Sequence, residues 1–234
     1  MSAEFDKHSA GYDGGIDNSV KGMLGDADSF IAVKARWLMR HEPGLGAGGL
    51  SLLDYGCGAG DLMRVLAGMG ARARFMGCDV STGMLAEAGR RWPAACGPAP
   101  VLEPQDGART PFADGQFDVA VISAVLHHVP PAERPAVYAE LGRILTPGGR
   151  LYVFEHNPRN PLVRYVIART PIDANAILLD AREVRQALRD GAYALTTDYL
   201  MFVPPGMAAL GFVDRALAWL PLGAQYAVAA RKAA

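Results

Sequence analysis

The sequence predicts an α/β fold built on a doubly wound sheet. Three observations carry that expectation. Apolar runs alternate with segments of helical periodicity from about residue 50 onward. One run, Leu52-Leu53-Asp54, passes directly into a glycine-rich turn and a helix start. Another, residues 117–122, is nearly continuous and β-branched, as in a strand buried on both faces.

The elements follow in order. Asp28-Ser29 precedes a helix that places Phe30, Val33, Trp37 and Leu38 at helical spacing. A glycine-rich stretch, residues 43–49, leads into the first strand, and residues 61–69 form the helix after the turn. Residues 74–80 are a second strand; Ser81 caps a helix that Pro93 ends. Residues 101–103 make a short third strand and 117–122 a fourth. Pro131 opens a helix bearing Val137, Leu141, Ile144 and Leu145, closed by Thr146-Pro147-Gly148-Gly149, before a fifth strand at 151–155. Prolines at 158, 161 and 171 bracket a short helical piece. Asp180-x-x-Glu183 then starts a helix that ends at Gly191. Two late strands, near 195–203 and 225–230, flank a helix bearing Leu210, Val213, Leu217 and Leu220.

Bulk properties set limits. The 234 residues, half of them hydrophobic, suit one large domain or one domain with an added cap. A formal charge of −1 with scattered basic residues gives no footprint for nucleic acid or an anionic membrane, so neither is expected as a partner. Cys57, Cys78 and Cys96 are odd in number and lack CxxC spacing, which points to free thiols in a reducing compartment. The first residues lack an apolar leader and no run approaches about 18 apolar residues. A cytoplasmic protein, monomer or homodimer, is expected.

The glycine turn narrows the ligand. A dinucleotide loop follows G-x-G-x-x-G. Here the pattern is Asp54-x-Gly56-x-Gly58-x-Gly60, followed by Asp61 and Leu62, so a nicotinamide-dependent oxidoreductase is disfavoured. Glycines let a ligand approach backbone amides closely at a helix start. Asp54 would repel a pyrophosphate but suits the ammonium of an amino-acid ligand. Asp79, ending the second strand, is placed to accept from two ribose hydroxyls; its plainer role is to cap the following helix.

With Gln105-Asp106-Gly107-Ala108 after strand three, Ser123 after strand four and the turn Leu145-Thr146-Pro147-Gly148-Gly149 before strand five, the order of motifs resembles class I S-adenosylmethionine (SAM) methyltransferases across residues 50–156. The resemblance implies a Rossmann-like, seven-stranded sheet, mostly parallel with one antiparallel strand near the C-terminus. It implies a cap over 1–48, a SAM-binding core over 49–156, a lid over 157–180 and sheet completion over 181–234. SAM would be held by Asp54, Gly56 and Gly58 at its methionine end, with Ser123 on the methionine side. Asp79 would meet its ribose and Asp106, Ala108 and Met84 its adenine, with Val80 and Gly107 also cofactor-binding. Phe5 and Tyr12 would close over it from the N-terminus.

The implied reaction carries the methyl group to O, N or C of a small-molecule acceptor. The sulfonium already activates the methyl, so alignment is the main task, with a base useful for a hydroxyl or ammonium acceptor. His127, His128 and Glu155 are the candidates, with His156 beside them; a packed core role for one histidine is the alternative. No metal is expected, because these residues lack i,i+3 or i,i+4 ligand spacing. Arg159, Arg164 and Arg169 either bind an anionic acceptor or are solvated charges. A SAM-binding regulator without transferase activity shares the same motifs. The segments 155–161 and 220–226 resemble a bacterial subgroup of small-molecule methyltransferases.

Overall fold

The computed structural model describes residues 27–170, 173, 175–189, 193–207 and 210–233. Among them lie α1 (Ala27–His41), α2 (Gly44–Ala47), β1 (Ser51–Tyr55), α3 (Asp61–Gly68), β2 (Arg74–Asp79), α4 (Thr82–Arg91) and β3 (Val101–Pro104). They continue with β4 (Phe117–Ser123), α5 (Arg134–Ile144), β5 (Leu145–His156), α6 (Pro161–Ile167), α7 (Ala181–Arg189), β6 (Tyr193–Leu200), α8 (Gly211–Leu217) and β7 (Gln225–Lys232).

The strands form one sheet in the order β3-β2-β1-β4-β5-β7-β6. β1 pairs in parallel with β2 and β4, β2 with β3, and β4 with β5. β7 is antiparallel to both neighbours, β5 and β6. The expected sheet, with its one reversed strand near the C-terminus, is therefore present. Chain order runs outward from β1 through β2 to β3, then returns to place β4 beside β1. That reversal opens a crevice beyond the strand ends, the usual ligand position in such sheets.

Alternation within each strand splits the core between two faces. Leu53, Tyr55, Ala120, Ile122 and Val153 pack under α5 and α7 with Leu141, Ile144 and Val184. Leu52, Val119, Val121, Tyr152 and Phe154 pack under α1 and α3 with Trp37, Leu38, Met63 and Leu66. Trp37 sets α1 against the sheet: its ring lies edge-on to Phe154 at 5.4 Å, and its Nε1 donates to Asp198 Oδ2 at 2.8 Å. Ser81 caps α4 as expected, its side chain accepting from Met84 N.

Several boundaries differ from expectation. The linker at 43–49 contains the short helix α2, whose Leu45 is fully buried and anchors it. α5 begins at Arg134 rather than Pro131. Thr146 to Gly149 do not form a turn ahead of β5; they bulge within it. Register jumps from Phe117↔Leu145 to Val119↔Arg150, and Gly148 takes a φ of 72°. β6 ends at Leu200 because Met201 adopts a φ of 62° and turns the chain out of the sheet. Phe5 and Tyr12 lie outside the described residues. Among the described residues no helix is long and apolar enough to cross a membrane.

Candidate active site

A cavity of about 720 Å³ opens beyond the carboxyl ends of β1 and β4, a size that suits a small-molecule site. Its walls come from α1, the 56–62 turn, the ends of β2 and β4, residues 160–170 with Asp173, and the 201–205 and 222–225 loops. One end is polar and charged. The other is largely apolar, with a cluster of imidazoles at its floor.

At the polar end, Gly56, Gly58 and Gly60 all have positive φ. A Cβ on Gly56 would lie 2.5 Å from Val125 Cγ2, so the turn is pressed against the segment after β4. Four of the turn's amides, expected to be open to a ligand, are instead taken up within the protein. Gly56 N and Cys57 N donate to Cys78 O, Gly60 N donates to Cys57 O, and Gly58 N donates to Asp79 Oδ2 at 2.8 Å. The glycines thus serve close approach more than amide donation. Asp79 Oδ1 accepts from Ser81 N at 2.9 Å, so this carboxylate ties two loops together at the cavity wall.

Asp54 is buried at the end of β1 and lines the cavity. Burial, reinforced by Asp79, pushes its carboxyl up to about 7, against the pull of Lys34. Lys34 reaches in from α1 and donates to Ser123 Oγ at 2.9 Å. Burial lowers its ammonium to about 8 despite Glu155 and Asp54. Sequence reasoning missed Lys34; its signal is a lone lysine within the apolar stripe of Phe30, Trp37 and Leu38. Val80, Met84, Gly107 and Ser123 also line the cavity, as does Gln105. Asp106 and Ala108 do not; Asp106 is exposed and accepts from Arg109 N at 3.0 Å.

At the other end, β5 delivers Glu155, fully enclosed beneath the 126–128 turn. Its Oε1 accepts from Val125 N (3.0 Å) and Leu126 N (2.7 Å). Its Oε2 lies 2.6 Å from His127 Nδ1. Burial opposes its charge, but the charge and hydrogen bond of His127 outweigh that and hold it at about 2. Asp173, on the segment after α6, sits 3.4 Å from His127 Nε2 and 3.4 Å from His128 Nε2. Burial lowers the His127 imidazole, yet Glu155 and Asp173 together raise it to about 9. His156 packs edge-on to it at 5.1 Å and is pushed down to about 4, first by burial and then by His127. The structure therefore brings His127, His128, Glu155 and His156 together as the sequence expected, and adds Asp173. No local signal marks Asp173, because its proximity depends on the path of the chain after β5.

The apolar walls comprise Leu162, Val163, Tyr165, Val166, Met201 and Phe202. Of the three arginines, Arg169 lines the cavity and stacks on the Tyr165 ring at 3.7 Å. Arg159 does not line it and pairs with Asp180 at 2.5 Å. Arg134 secures the 126–129 turn: its Nε donates to Leu126 O and Val129 O, and its Nη2 to Ile177 O.

A glycine-pressed crevice at the sheet reversal, flanked by acids at the ends of β1 and β2 and by a buried lysine, has the polar lining that a ligand such as SAM needs. Residues 52–149 match the model of a methyltransferase domain family. A demethylmenaquinone methyltransferase of Parafrankia is 32% identical over 198 residues, covering 76% of this chain and 72% of that protein. Another, from Beutenbergia cavernae, is 42% identical over 107 residues, which is 46% of this chain and 41% of that one. Among solved structures, a SAM-dependent methyltransferase from Thermotoga maritima, described as a possible histamine N-methyltransferase, superposes with a TM-score of 0.70 at 16% identity. It covers 99% of this chain and 100% of that one. A magnesium protoporphyrin IX methyltransferase from Synechocystis, with bound S-adenosylhomocysteine, superposes at 0.64 with 20% identity, covering 88% and 83%. With fold, crevice and relatives in agreement, this chain belongs to the class I SAM-dependent methyltransferases.

Proposed function

We propose that this chain transfers the methyl group of SAM to a ring carbon or ring hydroxyl of an apolar aromatic small molecule of the quinol class. The observation that carries this reading is the two-ended cavity. Its polar end suits an amino acid and a nucleoside, while its other end offers apolar walls over an imidazole–carboxylate floor. The demethylmenaquinone methyltransferases among its relatives act on a substrate of that character.

SAM supplies a sulfonium methyl: the C–S bond breaks with its electron pair left on sulfur, a C–C or C–O bond forms, and the acceptor's proton passes to water. Asp54 receives the ammonium of the methionine end, and Lys34 its carboxylate. Asp79 accepts from the ribose, with Val80 and Gly107 beside it and Met84 against the adenine. Asp106 and Ala108, which do not line the cavity, contribute the turn that carries Gly107. Gly56, Gly58 and Ser123 shape the passage between the two ends. His127 and His128 face the acceptor, with Glu155 enclosed behind His127. With carboxylates at both ring nitrogens, His127 is held in one orientation and forms the floor of the acceptor end instead of standing as an open base. Residues 160–170, with Asp173, wall that end. The test is incubation with methyl-labelled SAM and short-tailed demethylmenaquinol, naphthols and aliphatic amines, with products identified by mass spectrometry. Labelled quinol or naphthol supports the reading; label confined to amines overturns it.

A further inference from the structure

We propose that His127 Nε2, His128 Nε2 and an Asp173 carboxylate oxygen form a site for one divalent transition-metal ion, at the acceptor end of the cavity. The three ligand atoms lie within 4.8 Å of one another, and all three residues line the cavity. Both nitrogens stand 3.4 Å from Asp173 Oδ1. An edge of roughly 3.4 Å is what bonds of about 2.1 Å give at a tetrahedral angle, the bond length usual for imidazole and carboxylate on zinc.

Glu155 supplies an independent observation. A metal-bound imidazole characteristically gives its other N–H to a carboxylate, which fixes the ring and its tautomer. Glu155 does this at His127 Nδ1 with a 2.6 Å contact. It is itself locked by the Val125 and Leu126 amides. His127 Nε2 is thereby turned toward the cavity, and the two carboxylates around the pair make the pocket electrostatically suited to a dication. Two imidazoles and one carboxylate select zinc, manganese, iron or cobalt over magnesium, which prefers an all-oxygen shell. Three protein ligands leave at least one position open toward the acceptor, where an acceptor oxygen would be polarised. Ligand spacing along the sequence gave no hint of this, since the third ligand comes from 45 residues away across the lid (173 against 128).

Only the metal's task rests on the proposed methyl transfer; the binding site stands apart from it, and the experiment keeps the two separate. The full chain, freed of any affinity tag and treated with chelator, is titrated with cobalt(II) and followed by visible absorption, while SAM affinity is measured in parallel by calorimetry. The expected result is one equivalent of cobalt with a tetrahedral or five-coordinate spectrum. Asp173→Ala, Asp173→Asn and His128→Ala should each weaken binding tenfold or more, with SAM affinity kept within about threefold. Glu155→Gln, acting through His127, should weaken it by roughly 10- to 100-fold. X-ray absorption of the unmutated protein should show two imidazoles on the metal, a readout that does not depend on any variant folding. No saturable uptake, equal affinity in the Asp173 and His128 variants, or a shell without imidazole overturns the site. Loss of SAM binding with cobalt binding intact would instead count against the methyltransferase reading and leave the metal site standing.

Discussion

Asp79 works through both oxygens at once, accepting from Gly58 N and Ser81 N. The same carboxylate lines the cavity, where an ionised acid can accept from ribose hydroxyls. Asp79→Ala should therefore weaken SAM binding by tenfold or more, since hydrogen bonds to a charged group are worth about 1.5–3 kcal/mol each. Calorimetry on a variant with unchanged circular dichroism tests this, and undiminished affinity refutes the assignment. Lys34→Met isolates the other end of the ligand. If Lys34 meets the methionine carboxylate, S-adenosylhomocysteine should lose roughly tenfold in affinity, while 5′-methylthioadenosine, which lacks that carboxylate, should bind as before. Equal losses for both ligands would mean that Lys34 only shapes the pocket. Asp54 and Asp79 are legible in the sequence because each stands at the end of its strand and the glycine turn announces a ligand. Lys34 and Asp173 reach the same cavity from α1 and from beyond β5, and no local pattern encodes that meeting.

At the scale of elements, two segments that stand out separately in the sequence are bonded to each other. Asn157 Nδ2 donates to Pro221 O and Gly223 O, and Asn160 Nδ2 to Leu222 O, so the chain after β5 is pinned to the chain before β7. Asn160 also caps α6, its side chain accepting from Leu162 N and Val163 N. Gly223 permits the closeness: a Cβ there would meet Leu200 O at 2.4 Å and Leu200 N at 2.7 Å. Gly223→Ala is predicted to force β6 and the 220–223 loop apart, costing roughly 1–3 kcal/mol and several degrees of melting temperature. A melting curve that overlays the parent would show that the loop shifts freely. The strands β1 and β4 are readable in advance because near-complete burial makes each a largely apolar run. The bulge in β5 and the early end of β6 are not, since they arise from register with β4 and from the left-handed turn at Met201, which no spacing records.

Across the whole molecule, four ion-paired acids, Glu140, Glu155, Asp173 and Asp180, hold below their ordinary range. Glu140 is the clearest: burial opposes its charge, but Arg143 and Thr110 bring it to about 2. Its contribution is present above about pH 4.5 and is lost as pH falls through the folded value. Asp54 has the opposite sign. Its folded value, about 7, lies above its ordinary 3.8 because it is buried and faces Asp79. A raised acid stabilises the fold fully below its unfolded pKa, and that contribution disappears as pH climbs through the folded one. The protein therefore spends stability to keep a charge at the end of β1 at neutral pH, at most about 4 kcal/mol for a shift of this size. Asp54→Asn removes the cost, so in urea melts without ligand the variant should gain on the parent between pH 5 and pH 7.5. SAM should reverse the ranking at pH 7.5, because its ammonium stabilises the ionised carboxylate and binding adds to the parent's stability by mass action. Parallel stability curves across that interval, or equal stabilisation of both proteins by SAM, would remove Asp54 from the cofactor's end of the cavity.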